Sequence, residues 1–312
     1  MGNDRGCDAL RVDEDLAGLM AAAPAPAVDL MALPLDEARD AYDRRWAPFN
    51  ANPPPLRDVQ PLSIPRRGGG PAMEAVRYVP SSTSRGTILF AHGGGWRFGS
   101  PASHDHLARS LALAADAEVI SIDYRLAPEN PFPAALHDLL DALAFAAADR
   151  DATALAGDSA GASLCLGALA ALRDAGAPMP AAAALFYGCF DIDFDTGSYR
   201  RFGDGRFGLS RPRMERFWQD YRGGAGDEAI PGRAELAGLP ALHLHAAGLD
   251  VLLDDTMTLA QRAAAAGVRV AVDVVPGLVH GHLQMALHLP AAGRVIDRAA
   301  AFLREEMAAA RS

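Results

Sequence analysis

Short apolar runs alternate with helical patterns along most of this chain. The apolar runs GTILFAH, EVISIDYR and ATALAG are followed, respectively, by the segments HDHLARSLALAADA, PAALHDLLDALAFAAA and ASLCLGALAALRDAG. Apolar runs of roughly five residues separated by helices are typical of βαβ units, in which helices cover both faces of a mainly parallel sheet. The later runs AAALFYG, PALHLHAAG and RVAVDVVPG continue this alternation. The pattern therefore predicts an α/β fold.

Two regions depart from this alternation. Residues 1–50 mix helical stretches with proline-rich breaks and lead into NPPPLRDVQP, where successive prolines forbid a helix or a central strand. Residues from about 190 to 226 are polar, glycine-rich and aromatic, with one helix predicted near 211–221. We expect an accessory helical segment and a linker in the first region, and part of a lid in the second.

Composition and charge narrow the class of protein. Half of the 312 residues are apolar and 22% are charged, which is typical of a globular protein. The net charge of −10 disfavours nucleic acid and anionic lipid as partners. We find no signal peptide pattern and no apolar window of about 18 residues, so we predict no membrane span. The opening MGNDRG lacks the Ser or Thr that myristoylation requires at its sixth position.

The cysteines indicate a reducing compartment. Cys7, Cys165 and Cys189 are widely spaced and form no CxxC pair, so neither a disulfide framework nor a zinc knuckle is predicted. A cytoplasmic location fits this usage best.

The segment ATALAGDSAGASLCLG places Ser159 between Gly157 and Gly161, after a predicted strand and before a predicted helix. This is the context of a nucleophile elbow, where a strained turn exposes the serine and leaves no room for neighbouring side chains. The alternative is a serine that only caps the following helix, but a cap does not require both glycines. We therefore predict that Ser159 is a nucleophile.

A glycine run follows the strand GTILF. It contains three successive glycines, Gly93, Gly94 and Gly95. Backbone N–H groups without side chains beside them are suited to bind an oxyanion at about 3 Å, and the residue after the nucleophile, Ala160, is expected to add another N–H. His92 and Trp96 flank the glycines, which argues against the alternative of a flexible surface loop.

A serine nucleophile needs a base that a third group orients. Asp250 and His280 each follow a predicted strand, at the edge of the sheet where catalytic groups gather. The order Ser159, Asp250, His280 is the order expected of a hydrolase with this topology. His282 remains open as an alternative base, and Asp254 and Asp255 remain open as alternative acids.

Other histidines are assigned no chemistry. His243 and His245 alternate on a strand and are predicted to lie in the core or at its rim. Neither they nor His104 and His106 come with a cysteine and carboxylate ligand set, so no metal site is predicted.

Five motifs resemble those of one enzyme family over about residues 75–305. They are HGGGW at 92–96, DYRLAPENPFPAALHD at 123–138, GDSAG at 157–161, LDVLLDD at 249–255 and VHGH at 279–282. Together they resemble the bacterial hormone-sensitive-lipase-like esterases, a branch of the α/β-hydrolases. The resemblance implies an eight-stranded, mostly parallel sheet with helices on both faces, and a helical cap. The cap would comprise residues 1–50 and the excursion at about 190–226, and the catalytic domain residues 51–312.

The resemblance also implies an activity and a set of site residues. It implies hydrolysis of short to medium acyl esters without a cofactor, with a small-molecule ester as the substrate. A homodimer is compatible with the resemblance. The catalytic residues would be Ser159, Asp250 and His280. The oxyanion hole would comprise Gly93, Gly94, Gly95 and Ala160, with Gly93 shaping the loop. Substrate would contact His92, Trp96 and His282. His282 departs from the family, which commonly has Phe there, so the pocket would be more polar.

Rival functions remain at this point. The same three residues serve amide, formamide or lactone hydrolysis, because the nucleophile does not reveal the leaving group. A non-catalytic ligand-binding receptor is disfavoured, since every catalytic position carries a competent side chain. A dehalogenase with an Asp nucleophile is excluded because residue 159 is Ser. A nucleotide-binding protein is excluded because neither GxxxxGK nor GxGxxG follows the first strand.

Overall fold

The computed structural model describes residues 11–22, 29–82, 84, 86–148 and 152–311. Cys7 and the opening MGNDRG lie outside these residues. Eight strands form a single sheet within them: β1 (Asp58–Ile64), β2 (Met73–Val79), β3 (Thr87–Ala91), β4 (Glu118–Ile122), β5 (Thr153–Asp158), β6 (Ala182–Phe186), β7 (Ala241–Leu249) and β8 (Val270–Val279). The α-helices are α1 (Glu14–Ala22), α2 (Leu35–Trp46), α3 (Asp105–Ala115), α4 (Ala134–Ala148), α5 (Ala160–Asp174), α6 (Gly197–Phe202), α7 (Arg211–Arg222), α8 (Leu253–Ala265) and α9 (Pro290–Ala309).

The strand order is β1-β2-β4-β3-β5-β6-β7-β8. β2 pairs antiparallel with both β1 and β4, and the pairs from β4 to β8 are parallel. Every position of β3, β4 and β6 is buried, because the sheet is covered on both faces. The predicted α/β fold with an eight-stranded, mostly parallel sheet is confirmed.

The linker predicted from the prolines ends earlier than expected. Its last residues, from Asp58 to Pro61, belong to β1, which is largely exposed and pairs only with β2 at one edge of the sheet. An edge strand tolerates a proline because one side of its backbone has no partner to bond. The prediction that the prolines forbid a central strand therefore holds, while the prediction of a linker there is wrong.

The N-terminal helices and the excursion after β6 meet above the glycine run. The ring of Tyr42 on α2 stacks on Phe98 with centroids 5.5 Å apart. Phe98 contacts Phe217 on α7 edge-on at 6.0 Å. The helix predicted near 211–221 is α7. Within the described residues, no helix combines the length and the apolar character that crossing a bilayer demands.

Candidate active site

Ser159 stands at the junction of β5 and α5 in a strained backbone conformation, with φ 53° and ψ −117°. Its N–H donates to the carbonyl of Phe186 at 2.8 Å, which ties the turn to β6. A Cβ on Gly157 would lie 2.6 Å from the carbonyl carbon of Gly161, and a Cβ on Gly161 would collide with the carbonyl oxygen of Ala91. Both glycines are required because the backbones of β3, β5 and α5 approach too closely for a side chain.

The loops after β7 and β8 bring two further side chains to Ser159. His280 Nε2 lies 2.9 Å from Ser159 Oγ, and His280 Nδ1 lies 2.7 Å from Asp250 Oδ2. Asp250 is buried, and its other oxygen accepts the N–H of Leu252 at 3.0 Å. Since Asp250 accepts a hydrogen bond from the N–H at Nδ1, the lone pair of Nε2 is directed at the serine hydroxyl. This arrangement can remove the hydroxyl proton.

The glycine run turns sharply beside Ser159. Gly94 and Gly95 have φ values of 119° and 64°, and their N–H groups donate to no acceptor among the described residues. The N–H of Ala160 is likewise free, as the first N–H groups of a helix are. Side chains on the glycines would meet the carbonyl of Phe98 and the ring of Phe217. The glycine run and the residue after Ser159 therefore offer three N–H donors that have no acceptor among the described residues.

Gly93 does not belong among these donors. Its N–H donates to Asp158 Oδ1 at 2.7 Å, so it fastens the glycine run to the residue before Ser159. Burial acts to raise the pKa of Asp158, but His104 and the Gly93 N–H outweigh it and hold the pKa below its ordinary value. The prediction of Gly93 as part of an oxyanion hole is corrected to the loop-shaping role alone.

The three predicted substrate contacts lie in the core. His92, Trp96 and His282 are each 0% exposed. His92 stacks on Tyr124 with centroids 4.3 Å apart, and Trp96 stacks on Tyr221 at the same distance. All three rings are enclosed by the protein and offer no surface to a substrate. The prediction that they bind substrate is therefore wrong in this structure, as is that of a more polar pocket at His282.

The open alternatives for the acid are resolved by distance. Asp254 Oδ2 accepts the N–H of Ser198 at 2.8 Å, and Asp255 Oδ2 accepts the N–H of Phe190 at 2.9 Å. Burial raises the pKa of Asp255 to about 8. Both side chains are thus engaged with the segment after β6, and Asp250 is the carboxylate that reaches His280.

Four further histidines lie in the interior of the protein. They are His104, His106, His243 and His245, as predicted for the last two. Among the described residues, no group of three or more His, Cys, Asp or Glu side chains is placed to hold a metal ion.

Two neighbours of the site were not predicted from the sequence. Asp158, inside the GDSAG motif, connects the glycine run to the elbow. Tyr187 follows β6 with a positive φ of 37°, and its ring packs edge-on against His280 at 5.0 Å. The sequence offered only the position of Tyr187 as a sign of its role, since it is an aromatic residue at the carboxyl end of a predicted buried strand.

Comparison with known proteins places this geometry in context. A family model described as alpha/beta hydrolase fold matches residues 88–284. An acetyl-hydrolase of Streptomyces hygroscopicus is 36% identical over 276 residues, which span 86% of this chain and 90% of the relative. Carboxylesterase NlhH of Mycobacterium tuberculosis is 35% identical over 235 residues, 70% of this chain and 73% of the relative. The crystal structure of an esterase from the bacterial hormone-sensitive lipase family superposes with a TM-score of 0.84 at 30% identity, over 96% of this chain and 100% of that one. The residues that the family model matches include the glycine run, the elbow and both later loops.

Proposed function

We propose, because this chain belongs to the α/β-hydrolase family and to its hormone-sensitive-lipase-like esterases, that Ser159 is the nucleophile with which it cleaves esters. The chain is a carboxylic ester hydrolase, as its named relatives are. What we propose concerns the residues that perform the reaction and the esters that they accept. The observation that carries it is the continuous hydrogen-bonded row from Asp250 through His280 to Ser159.

The reaction follows from this row. His280 accepts the hydroxyl proton while Ser159 Oγ attacks the ester carbonyl carbon. The N–H groups of Gly94, Gly95 and Ala160 stabilise the negative charge that develops on the carbonyl oxygen. Asp250 keeps His280 oriented and stabilises its cationic form. His280 then returns the proton to the departing alcohol, and a water molecule that His280 activates in the same way hydrolyses the acyl-enzyme.

Short to medium acyl esters are the substrates that we propose. The support is the family membership and the name of the acetyl-hydrolase relative. Amides, formamides and lactones are alternative substrates for the same residues. Acyl length is measured with p-nitrophenyl esters from acetate to palmitate, and the rival leaving groups with an anilide and a lactone. Faster turnover of the anilide or lactone than of every ester would overturn the proposed substrate class.

We further propose that α1, α2, α6 and α7 form the cap over the site. The support is the contact of α2 and α7 through Phe98, together with the ion pair at 3.7 Å between Arg213 on α7 and Asp29 before the second N-terminal helix. A cytoplasmic location and a homodimer stay predictions. The first is supported by the free thiols of Cys165 and Cys189, which are both buried. The second is supported by Val272 and Val274, which are exposed on the edge strand β8.

The test of the nucleophile is covalent labelling. A fluorophosphonate probe should modify Ser159 and no other serine, as located by mass spectrometry. Ser159→Ala should lose labelling and about 10⁴-fold to 10⁶-fold in kcat for p-nitrophenyl butyrate. Ser163→Ala is the matched control, because Ser163 lies one turn along α5 and its hydroxyl donates to the Cys189 carbonyl away from the site. Equal activity of Ser159→Ala and the wild type would contradict the assignment.

A further inference from the structure

Two fully buried histidines face each other beneath the loop that carries His280. His245 lies on β7, and His282 begins the short helical turn after β8. Their Nε2 atoms are 3.1 Å apart, and both residues are 0% exposed. The esterase mechanism uses neither side chain. A contact between two buried ring nitrogens is a hydrogen bond only if one of them carries a hydrogen, so the hydrogen atoms on both rings have to be assigned.

The far nitrogen of His282 carries a hydrogen. His282 Nδ1 lies 2.8 Å from the backbone carbonyl oxygen of Val279. A carbonyl only accepts hydrogen bonds, so Nδ1 is the donor. This bond closes the turn from Val279 to His282, which contains His280 and the positive-φ residue Gly281.

The far nitrogen of His245 also carries a hydrogen. His245 Nδ1 lies 3.3 Å from Asp273 Oδ2, on the neighbouring strand β8. Arg298 of α9 donates to the same oxygen from two nitrogens, at 3.0 and 2.6 Å. Burial acts to raise the pKa of Asp273, but His245 and Arg298 outweigh it and lower the pKa to about 2. An ionised carboxylate accepts only, so His245 Nδ1 is the donor.

The facing nitrogens therefore share one additional proton. If both rings were neutral with hydrogen on Nδ1, two bare lone pairs would meet across 3.1 Å. The contact is a hydrogen bond only if one ring is an imidazolium. Burial and the charge of His245 lower the pKa of His282 well below its ordinary value, so His282 is neutral. The carboxylate of Asp273, 3.3 Å from His245 Nδ1, favours the additional proton on the His245 ring.

We propose that His245 and His282 form a singly protonated imidazole pair that positions His280 for catalysis. This inference rests on the proposed role of His280 as the base. His245 anchors His282 to the sheet, and His282 holds the turn that presents His280 to Ser159. Tyr187 packs edge-on against both His280 and His282, at 5.0 and 5.1 Å, and so keeps the two rings in register. His245 and His282 are positioning residues, because neither touches the reacting atoms.

The pair makes catalysis sensitive to the loss of this proton. When the proton leaves, the two lone pairs face each other across 3.1 Å and the turn at His280 is no longer fixed. We expect kcat to fall as the pair loses its proton, while KM changes little. The titratable or charged groups that face the pair from the surrounding elements are Asp273, Arg298, His243, His280 and Tyr187.

Two substitutions with opposite signs test this dependence. Asp273→Asn removes the negative charge beside His245, so the alkaline limb of kcat should move to lower pH by about one unit or more. Arg298→Met removes a cation that competes for Asp273, so the same limb should move to higher pH. His243→Phe is the control, because burial lowers the pKa of His243 to about 4 and its removal changes no charge beside the pair at higher pH. A limb at the same pH in all four proteins would overturn the proposal.

Histidine side-chain NMR of the wild-type protein counts the protons directly. At the pH of maximal kcat, ¹⁵N shifts should show His245 protonated at both nitrogens, and His282 protonated at Nδ1 only. Two neutral rings would overturn the pair whatever the variants do. The result is distinguishable from failure of the proposed function, because the shifts report protonation in the resting protein and fluorophosphonate labelling reports the nucleophile.

Discussion

Two glycines on α5 have different surroundings. Substituting each by alanine therefore distinguishes the effect of steric crowding on stability from the effect of helix propensity. A Cβ on Gly161 would collide with the backbone of Ala91 in β3, and backbone atoms cannot rotate aside. A Cβ on Gly167, two turns along the same helix, would meet nothing closer than Leu136 Cδ1 at 3.6 Å. The same substitution at the two positions should therefore have opposite effects.

We predict that Gly161→Ala lowers the free energy of unfolding by about 1–3 kcal/mol, because it forces β3 and α5 apart. It should also lower kcat, since the elbow that holds Ser159 moves with the helix. Gly167→Ala should raise the free energy of unfolding by about 0.5–1 kcal/mol, because alanine favours the helix and fits the space. Urea denaturation measures both. A loss of stability of equal size in the two variants would contradict the role of crowding at Gly161.

For single residues, the sequence predicted where a residue lies in the fold better than it predicted which way the side chain points. Ser159, Asp250 and His280 lie together because each follows a parallel strand at the same edge of the sheet, and that much is visible in the sequence. The burial of His92 and His282 was not predictable, because the glycine run and VHGH turn those rings inward through tertiary contacts. That the Gly93 N–H is taken by Asp158 likewise depends on a contact across 65 residues.

Helix α7 is joined to the glycine run by a buried ion pair. Arg97, just after Trp96, donates to Asp220 on α7 at 2.5 Å, and both side chains are 7% exposed. Arg216, one turn before Asp220, donates to the other carboxylate oxygen at 2.8 Å. Removing one partner of such a pair leaves an unpaired buried charge, whereas replacing both by apolar side chains removes the charges together.

We predict that Asp220→Leu destabilises the protein by about 3–5 kcal/mol and lowers kcat, because Arg97 withdraws toward solvent and moves the glycine run. The double variant Arg97→Met with Asp220→Leu should recover most of the stability. Thermal and urea unfolding give the stabilities, and p-nitrophenyl butyrate gives kcat. If the double variant is as unstable as the single one, the loss does not come from the unpaired arginine.

The elements that the sequence predicted are those with unbroken apolar character. β3 to β6 were identified because parallel strands covered on both faces are apolar at nearly every position. β7 and the edge strand β8 were identified because apolar residues still predominate in them, although several positions of β8 are exposed. β1 and β2 were missed because they lie toward the edge of the sheet, where exposed positions interrupt the pattern and β1 contains Pro61. α6 was missed because six residues are too few for helical periodicity to emerge.

Several histidines are held neutral across the whole molecule. Burial lowers the pKa of His92 to about 3, and lowers those of His106 and His243 to about 4. A depressed pKa contributes stability that is present above the unfolded value near 6.5 and is lost as the pH falls toward the folded value. Asp255 acts in the opposite direction, since its raised pKa contributes stability that is lost as the pH rises from about 4 to about 8.

We predict that acid destabilises the protein between pH 6.5 and 4, by about 1 kcal/mol or more for each pH unit, because the lowered pKa values of His92, His106, His243 and His282 outweigh the raised pKa values of Asp255, Asp43 and Asp123. Urea unfolding at intervals of half a pH unit measures this slope. His243→Phe should reduce the slope by about 1 kcal/mol per unit. His288→Gln should leave it unchanged, because His288 is exposed. A free energy of unfolding that is constant over this range would contradict the neutral histidines.

The hydrogen bond between Ser159 and His280 joins residues 121 positions apart, and β6, β7 and β8 must all be in place before it forms. Contacts of such high contact order form late in folding, because the entropy of closing long loops is lost before the contact compensates for it. A hydroxyl without its base is a weak nucleophile. A nascent chain that has formed the elbow but not β8 therefore carries a serine without its general base. Ester hydrolysis becomes possible only when the sheet is complete.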